Sequence, residues 1–150
     1  MTVVSNASPL IAFERIRRQE LLKRLFGTIF IPPAVRVEVF GLQQLPDWIV
    51  EREPTLAFHP SKSLGRGEVE AIALALELKA DWLLMDDLDG RKEAIRLGLT
   101  VMGTIGVLIH AKQQGIINAI RPLLDELETV GFYYGQELRA LALSTAGECP

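Results

Sequence analysis

Short apolar runs alternate with longer segments in which apolar residues recur at helical spacing through the first hundred residues. Runs rich in apolar and β-branched residues predict buried strands, and strands that alternate with helices predict a parallel sheet. The predicted strands are residues 2–5, 28–31, 48–50, 82–85 and 99–102, of which 48–50 has the weakest pattern. The pattern therefore predicts an α/β domain.

Helical spacing and helix-ending residues place the helices between these strands. Ser8 followed by Pro9 predicts the start of the first helix, because serine caps helices and proline is tolerated in the first turn. The predicted helices are residues 9–24, 34–40, 65–80, 88–97, 104–114 (capped by Thr104), a segment within 116–130, and 134–146. We expect one three-layer domain over residues 1–150, with a parallel sheet between helices and a helical C-terminal part.

The segment 65–80 is apolar on nearly every side, which predicts a helix packed on both faces. Its polar exceptions are therefore informative. Glu68 lies in the first turn, where the free N–H groups and the helix dipole stabilise a carboxylate. Glu70 lies further in, on an otherwise apolar surface, and has a weaker structural explanation.

The amino-acid composition argues against several classes of protein. The single cysteine, Cys149, permits no intrachain disulfide and argues against a cysteine-based zinc site, and His59 and His110 are far apart in sequence. No segment approaches the roughly 20 apolar residues of a membrane span, and the start of the chain lacks the pattern of a signal peptide, so we expect a cytoplasmic protein. The net charge of −3 argues against binding nucleic acid through general basic charge, but not through a local patch or a bound metal ion.

The most informative polar residues follow predicted strands. Asp86 and Asp87 end the run 82–85, and Asn6 ends the first run. Carboxyl ends of parallel strands share one sheet edge, which the helices carrying Glu38 and Glu68 or Glu70 can approach. Two interpretations stay open for the aspartates: a turn that caps the next helix, or a site for Mg²⁺ or Mn²⁺ that activates water for attack on a phosphodiester. The chain has no glycine-rich phosphate-binding loop of the common nucleotide folds.

Five segments in order resemble the PIN-domain proteins, in particular the DUF3368 group. They are VVSNASPLI (3–11), IPPAVRVEV (31–39), GRGEVEAIALA (65–75), LLMDDLDGR (83–91) and GTIGVLIHAK (103–112). PIN domains are mostly metal-dependent ribonucleases, and many are VapC-type toxins of toxin–antitoxin pairs. The resemblance implies that fold, a ribonuclease active on RNA with Mg²⁺ or Mn²⁺, and an antitoxin partner.

The family's acidic site transfers to this chain by position. The resemblance implies metal-binding and catalytic roles for Asn6, Glu38, Glu70 or Glu68, and Asp86 or Asp87; spacing to Ala71 favours Glu70, and Arg91 is placed to contact phosphate. Asn6 departs from the pattern, because the family has aspartate at that position. The amide keeps an oxygen ligand but removes one negative charge, which should weaken metal binding.

Two alternative functions follow from the same residues. The change at Asn6 and the acidic charge favour a non-catalytic PIN scaffold that binds RNA or a protein. A flavodoxin-like or universal-stress-type nucleotide binder shares the α/β pattern but would need a phosphate loop that this chain lacks.

Helical surface in the last third of the chain also predicts a homodimer, an expectation that the resemblance supports. A basic helix face is formed by Arg15, Arg17 and Arg18, and the surplus apolar residues are Ile105, Leu108, Ile109, Ile116, Ile117 and Ile120. Unpartnered apolar helix surface is typical of a two-fold interface. The alternative is that these residues pack against the helix 134–146 within one chain.

Overall fold

The five apolar runs of the sequence form the five strands of one parallel sheet. The computed structural model describes residues 1–150. The strands are β1 (Val3–Ser5), β2 (Ile29–Ile31), β3 (Ile49–Glu51), β4 (Trp82–Leu84) and β5 (Val101–Met102). Their order in the sheet is β3-β2-β1-β4-β5, and every neighbouring pair is parallel. The predicted α/β fold with a parallel sheet is confirmed.

Eight helices connect and cover the strands. They are α1 (Ala7–Arg15), α2 (Gln19–Phe26), α3 (Pro33–Phe40), α4 (Arg66–Leu78), α5 (Leu88–Arg96), α6 (Thr104–Gln113), α7 (Arg121–Thr129) and α8 (Gln136–Thr145). None of them is both long and apolar enough to cross a bilayer.

Two apolar cores, one on each face of the sheet, produce the three layers. Successive strand residues point to opposite faces, so Val3 belongs to the larger core of 24 buried residues and Val4 to the smaller core of eight. The larger core is completed by residues of α1, α2, α3, α6, α7 and α8. The smaller core is completed by α4 and α5. Five consecutive residues of α4, 71–75, are buried, which confirms that this helix is packed on both sides.

The first predicted helix, 9–24, was wrong in two respects. It is two helices, because Arg17 adopts a left-handed conformation with φ of 58° and the chain turns between α1 and α2. The turn is closed by the N–H of Arg18, which donates to the carbonyl of Phe13. The helix also begins earlier than predicted, with Asn6 at the cap, so Ser8 is not the cap and Pro9 lies in the first turn, where no N–H is needed.

Much of the apolar surface in the last third is used within the chain. Leu108 and Ile120 are fully buried in the larger core, and Ile105, Ile109, Ile116 and Ile117 pack against that core while remaining partly exposed. The basic face also has partners: Arg18 pairs with Glu126 at 3.0 Å, and the Arg15 guanidinium lies 5.5 Å from the centre of the Phe132 ring. The surplus apolar surface is therefore smaller than the sequence suggested, and self-association stays a prediction.

Glu148 joins the end of the chain to the start of α7. Its carboxylate accepts hydrogen bonds from the N–H groups of Ile120 and Arg121 and from Lys112 Nζ, at 2.7, 3.2 and 3.0 Å. Desolvation opposes ionisation, but these donors together outweigh it and lower the pKa of the Glu148 carboxyl. A residue far along the chain thus completes a helix start that lacks a side-chain cap of its own.

Candidate functional site

Asn6 lies at the centre of the candidate site, at the carboxyl end of the middle strand. Its N–H donates to the carbonyl of Leu84 on β4, at 2.9 Å, which fixes its backbone against the next strand. The side chain is buried, and its Nδ2 donates to Glu68 Oε2 at 3.4 Å. Its Oδ1 is buried without any hydrogen-bond partner. A buried oxygen in this state is costly, and a bound water molecule or cation would satisfy it.

Gly67, in the first turn of α4, lies close against that oxygen. A Cβ atom at Gly67 would lie 3.2 Å from Asn6 Oδ1 and 3.8 Å from Glu38 Oε1. Glu38 of α3 and Asn6 therefore face the same small volume. Glycine at this position avoids placing a Cβ atom in close contact with these two oxygens.

Gly90 of α5 is closely surrounded by side chains. A Cβ atom at Gly90 would lie 2.6 Å from Met85 Sδ, 3.2 Å from Asp87 Oδ2 and 3.4 Å from Glu68 Cγ. The Glu68 side chain therefore passes close to Gly90, whose N–H binds Asp87, and its carboxylate contacts Asn6. We refer to Asn6, Glu38, Glu68 and Asp87 as the acidic cluster.

Glu70 lies outside this cluster. Its Oε1 accepts a hydrogen bond from the N–H of Ala34 at 3.0 Å, and its Oε2 accepts one from Arg66 Nε at 2.8 Å. Glu70 thus satisfies a free N–H in the first turn of α3, which lacks a side-chain cap. Sequence spacing favoured Glu70 as a site residue, but the contacts place Glu68 beside Asn6.

The two aspartates after β4 have different partners. Both carboxylate oxygens of Asp86 accept hydrogen bonds from Thr104. The backbone N–H of Thr104 donates to Oδ1 at 2.7 Å, and its Oγ1 donates to Oδ2 at 2.6 Å. Gly103, not the predicted Thr104, is the N-cap residue of α6, and Asp86 supplies the capping oxygen from another part of the chain. Asp87 caps its own helix, because its Oδ2 accepts from the N–H of Gly90 at 2.7 Å. The capping interpretation therefore describes both residues.

Arg91 lies next to Asp86 rather than inside the acidic cluster. Its Nη1 donates to the carbonyl of Met85 at 3.2 Å. A Cβ atom at Gly103 would lie 2.8 Å from Arg91 Nη1 and 2.9 Å from Asp86 Oδ1, so the two side chains flank this glycine. The guanidinium retains further N–H donors for an anion.

A groove of about 830 Å³ adjoins the site on the side of the edge strand β5. We call it the α6 groove; it lies between α6 and the segment 131–134. Asp86, Arg91 and Thr104 line the end near the carboxyl edge of the sheet, and Trp82 and Gln113 line the opposite end. Sequence reasoning missed this groove, since its walls come from distant segments. It also missed Gly67 and Gly90, although glycines within helices were a signal that could have identified them.

The side chains at this edge of the sheet include oxygen ligands suited to Mg²⁺ or Mn²⁺. They do not form a metal site made of acidic or histidine side chains alone. No group of three or more His, Cys, Asp or Glu side chains is arranged to hold a metal ion. An ion here would need the unpartnered oxygen of Asn6 together with Glu38 and Glu68. That set fits a hard cation, which takes carboxylate and amide oxygens.

Comparisons with known proteins agree with this architecture. A similar solved structure is that of a PilT N-terminus domain protein from the hyperthermophilic archaeon Sulfolobus solfataricus P2, with a TM-score of 0.50, 19% sequence identity, and coverage of 91% of this chain and 98% of the other. At that identity the likeness concerns the fold. No curated protein matches the sequence. The DUF3368 family, described as a PIN domain, matches residues 2–148. The match spans nearly the whole chain, and the protein therefore belongs to the DUF3368 family of PIN domains.

Proposed function

We propose that this protein is a divalent-metal-dependent ribonuclease whose active site is the acidic cluster, and that it serves as the toxin of a toxin–antitoxin pair. The observation that carries the ribonuclease proposal is the buried, unpartnered Oδ1 of Asn6, which lies against Gly67 together with Glu38 Oε1. Membership of the PIN-domain family supports nuclease activity. The toxin role and the antitoxin partner rest on the family resemblance.

The proposed ligands divide into two groups by their present contacts. Asn6 and Glu38 offer oxygens to the space beside Gly67, and Glu68 is held by the Asn6 amide. Asp87 keeps one oxygen on its own helix at Gly90, the residue that the Glu68 side chain also approaches. Bound Mg²⁺ or Mn²⁺ would supply an activated water and stabilise charge on the phosphodiester.

The protein's own residues have three tasks in this proposal. The carboxylates concentrate negative charge, which attracts the ion. Arg91, outside the cluster, binds a phosphate of the substrate through the guanidinium donors not used by Met85. Asp86 holds the start of α6 in place through Thr104 and so maintains the wall of the α6 groove.

RNA cleavage tests the proposal directly. Wild-type protein incubated with single-stranded RNA is expected to produce fragments in Mg²⁺ or Mn²⁺ and none in EDTA, because the carboxylates alone provide no electrophile. Fragments resolved on a denaturing gel give the rate. Cleavage that persists in EDTA would rule out a metal-dependent mechanism, and no cleavage in either ion would favour a scaffold.

Asn6→Asp tests whether residue 6 faces the ion. The added carboxylate is buried near Glu68, so it should lower the melting temperature in EDTA through repulsion and strengthen ion binding. The rise in melting temperature on adding Mg²⁺ should then exceed that of wild type; an ion at ten times its Kd contributes about 1.4 kcal/mol, or about 4 °C. Asn118→Asp, the same change at an exposed residue, is the control. Equal responses in Asn6→Asp and wild type would place residue 6 away from the ion.

A second function is favoured by Asn6 itself. With an amide in place of one carboxylate, the acidic cluster carries one negative charge fewer, which weakens its attraction for a metal ion. A protein that binds the ion too weakly for catalysis would be a PIN scaffold that binds RNA or a protein without cleaving it. Calorimetric titration with Mn²⁺ separates the two functions, because the scaffold requires no saturable ion site.

A further inference from the structure

The α6 groove continues from the region of the acidic cluster, which makes it a place for substrate beyond the cleaved bond. Asp86 and Arg91 line one end, and Ser8, two residues after Asn6, lines it too. The wall formed by α6 is ten residues long, so the groove can extend about 15 Å from there. That is room for more than one nucleotide of an extended strand.

Tyr133 is an exposed aromatic residue held between two anchored neighbours. Its side chain is 81% exposed at the rim of the groove. On one side, the Phe132 ring lies under the Arg15 guanidinium, 5.5 Å away. On the other, Tyr134 donates its hydroxyl to the carbonyl of Leu124 at 2.5 Å, and burial raises its pKa to about 12, which keeps that donor protonated. Tyr133 is thus presented on a fixed backbone while nothing covers its ring.

The chemistry of the groove favours single-stranded RNA over a protein segment. The groove combines apolar walls with the cation Arg91 and, beside it, Asp86, whose two oxygens are both bound by Thr104. A strand of RNA offers partners for the walls and for Arg91, since its phosphates pair with a guanidinium and its bases stack on aromatic rings. A purely apolar helix would leave the remaining guanidinium donors of Arg91 without an acceptor.

We propose that Tyr133 is a stacking platform for one base of single-stranded RNA that lies along the α6 groove with a phosphate on Arg91. This inference rests on the proposed ribonuclease function and adds a subsite to it. The subsite is sequence-tolerant, because every base has a face that stacks on tyrosine. It binds RNA whether or not the metal ion is present.

Binding measured in EDTA tests the platform without cleavage. The probe is a short fluorescein-labelled single-stranded RNA, followed by anisotropy. Tyr133→Ala is expected to weaken binding about tenfold, the loss typical of one stacked base, and Tyr133→Phe is expected to bind like wild type. Leu141→Ala is the control, because Leu141 is 62% exposed and does not line the groove.

RNA molecules lacking a single base locate the stacked position. At one position the missing base should weaken binding to wild type about tenfold and leave binding to Tyr133→Ala unchanged, because each change removes the same contact. Equal losses in both proteins at every position would overturn the platform. Wild-type affinity in Tyr133→Ala would also overturn it, and a dimer that light scattering shows to dissociate in that variant would make the groove a protein interface instead.

The two proposals fail in different ways. Metal-dependent cleavage with no effect of Tyr133→Ala on binding removes the platform and leaves the ribonuclease. RNA binding that depends on Tyr133 without any cleavage keeps the platform on a non-catalytic scaffold. No RNA binding and no cleavage by wild type overturns both.

Discussion

Glu68→Gln is expected to lower the rate of RNA cleavage about a hundredfold, a loss in the range seen when groups that hold a catalytic metal are changed. Glutamine keeps the length of the side chain but removes one of the few negative charges beside Asn6. The variant should fold as well as wild type without metal, because removing a carboxylate from a like-charged cluster relieves repulsion. Cleavage rates in Mn²⁺ and melting temperatures in EDTA measure the two effects.

Glu70→Gln is the matched control, since it makes the same change two residues away on the same helix. Glu70 binds Ala34 and Arg66 instead of the cluster. Its replacement should cost about 1 kcal/mol of unfolding free energy, the usual scale of a helix cap, and leave the cleavage rate close to wild type. The reverse result, loss of cleavage in Glu70→Gln alone, would make Glu70 the ligand, as the spacing to Ala71 indicated.

Asp86→Ala is expected to lower the free energy of unfolding by about 3 kcal/mol. The carboxylate makes two short hydrogen bonds to Thr104, whose side chain is buried, so its removal leaves the start of α6 and a buried hydroxyl without a partner. A hydrogen bond to a charged group contributes about 1.5–3 kcal/mol, and the loss of a helix cap costs about 1 kcal/mol. Urea denaturation measures the change.

Asp87→Ala separates capping from metal binding at the neighbouring position. The Asp87 side chain accepts a single hydrogen bond, from the N–H of Gly90, and the residue is exposed, so we expect about 1 kcal/mol of destabilisation. If Asp87 is a further metal ligand, as proposed, this variant also loses most of the Mg²⁺-dependent rise in melting temperature. A larger loss of stability in Asp87→Ala than in Asp86→Ala would contradict the roles assigned to the pair.

The sheet was predictable because its strands are buried on both faces. Such strands read as continuous apolar runs, and the run 82–85 is bounded by polar residues that mark its ends. The break between α1 and α2 was not predictable from the sequence, because the residue with positive φ is Arg17 and no glycine or proline marks the turn. Ile16 before the turn and Leu21 after it are both core residues, so packing against the sheet decides the break. The residues around the turn do not by themselves indicate that both side chains must pack in the core.

The candidate site was predictable as a region but not residue by residue. Strand ends identified Asn6 and the two aspartates, because parallel strands bring their carboxyl ends to one edge. Glu68 and Glu70 differ by about 200° around their helix, so only the packing of α4 determines which one faces Asn6. The bonds from Asp86 to Thr104 span 18 residues, and no spacing rule anticipates them. That Asp86 and Asp87 cap helices became clear only from the residues that they contact in the folded structure.

The hydrogen bonds that Glu148 accepts at the start of α7 bear on the order in which parts of the chain fold during synthesis. The free N–H groups at the start of α7 belong to a segment that leaves the ribosome before its capping carboxylate, which follows 28 residues after Ile120. Until Glu148 emerges, water must bind those N–H groups, and a short helix is marginal by itself in water. We infer that the helical C-terminal third consolidates late, onto a sheet whose last strand ends at Met102 and is already complete.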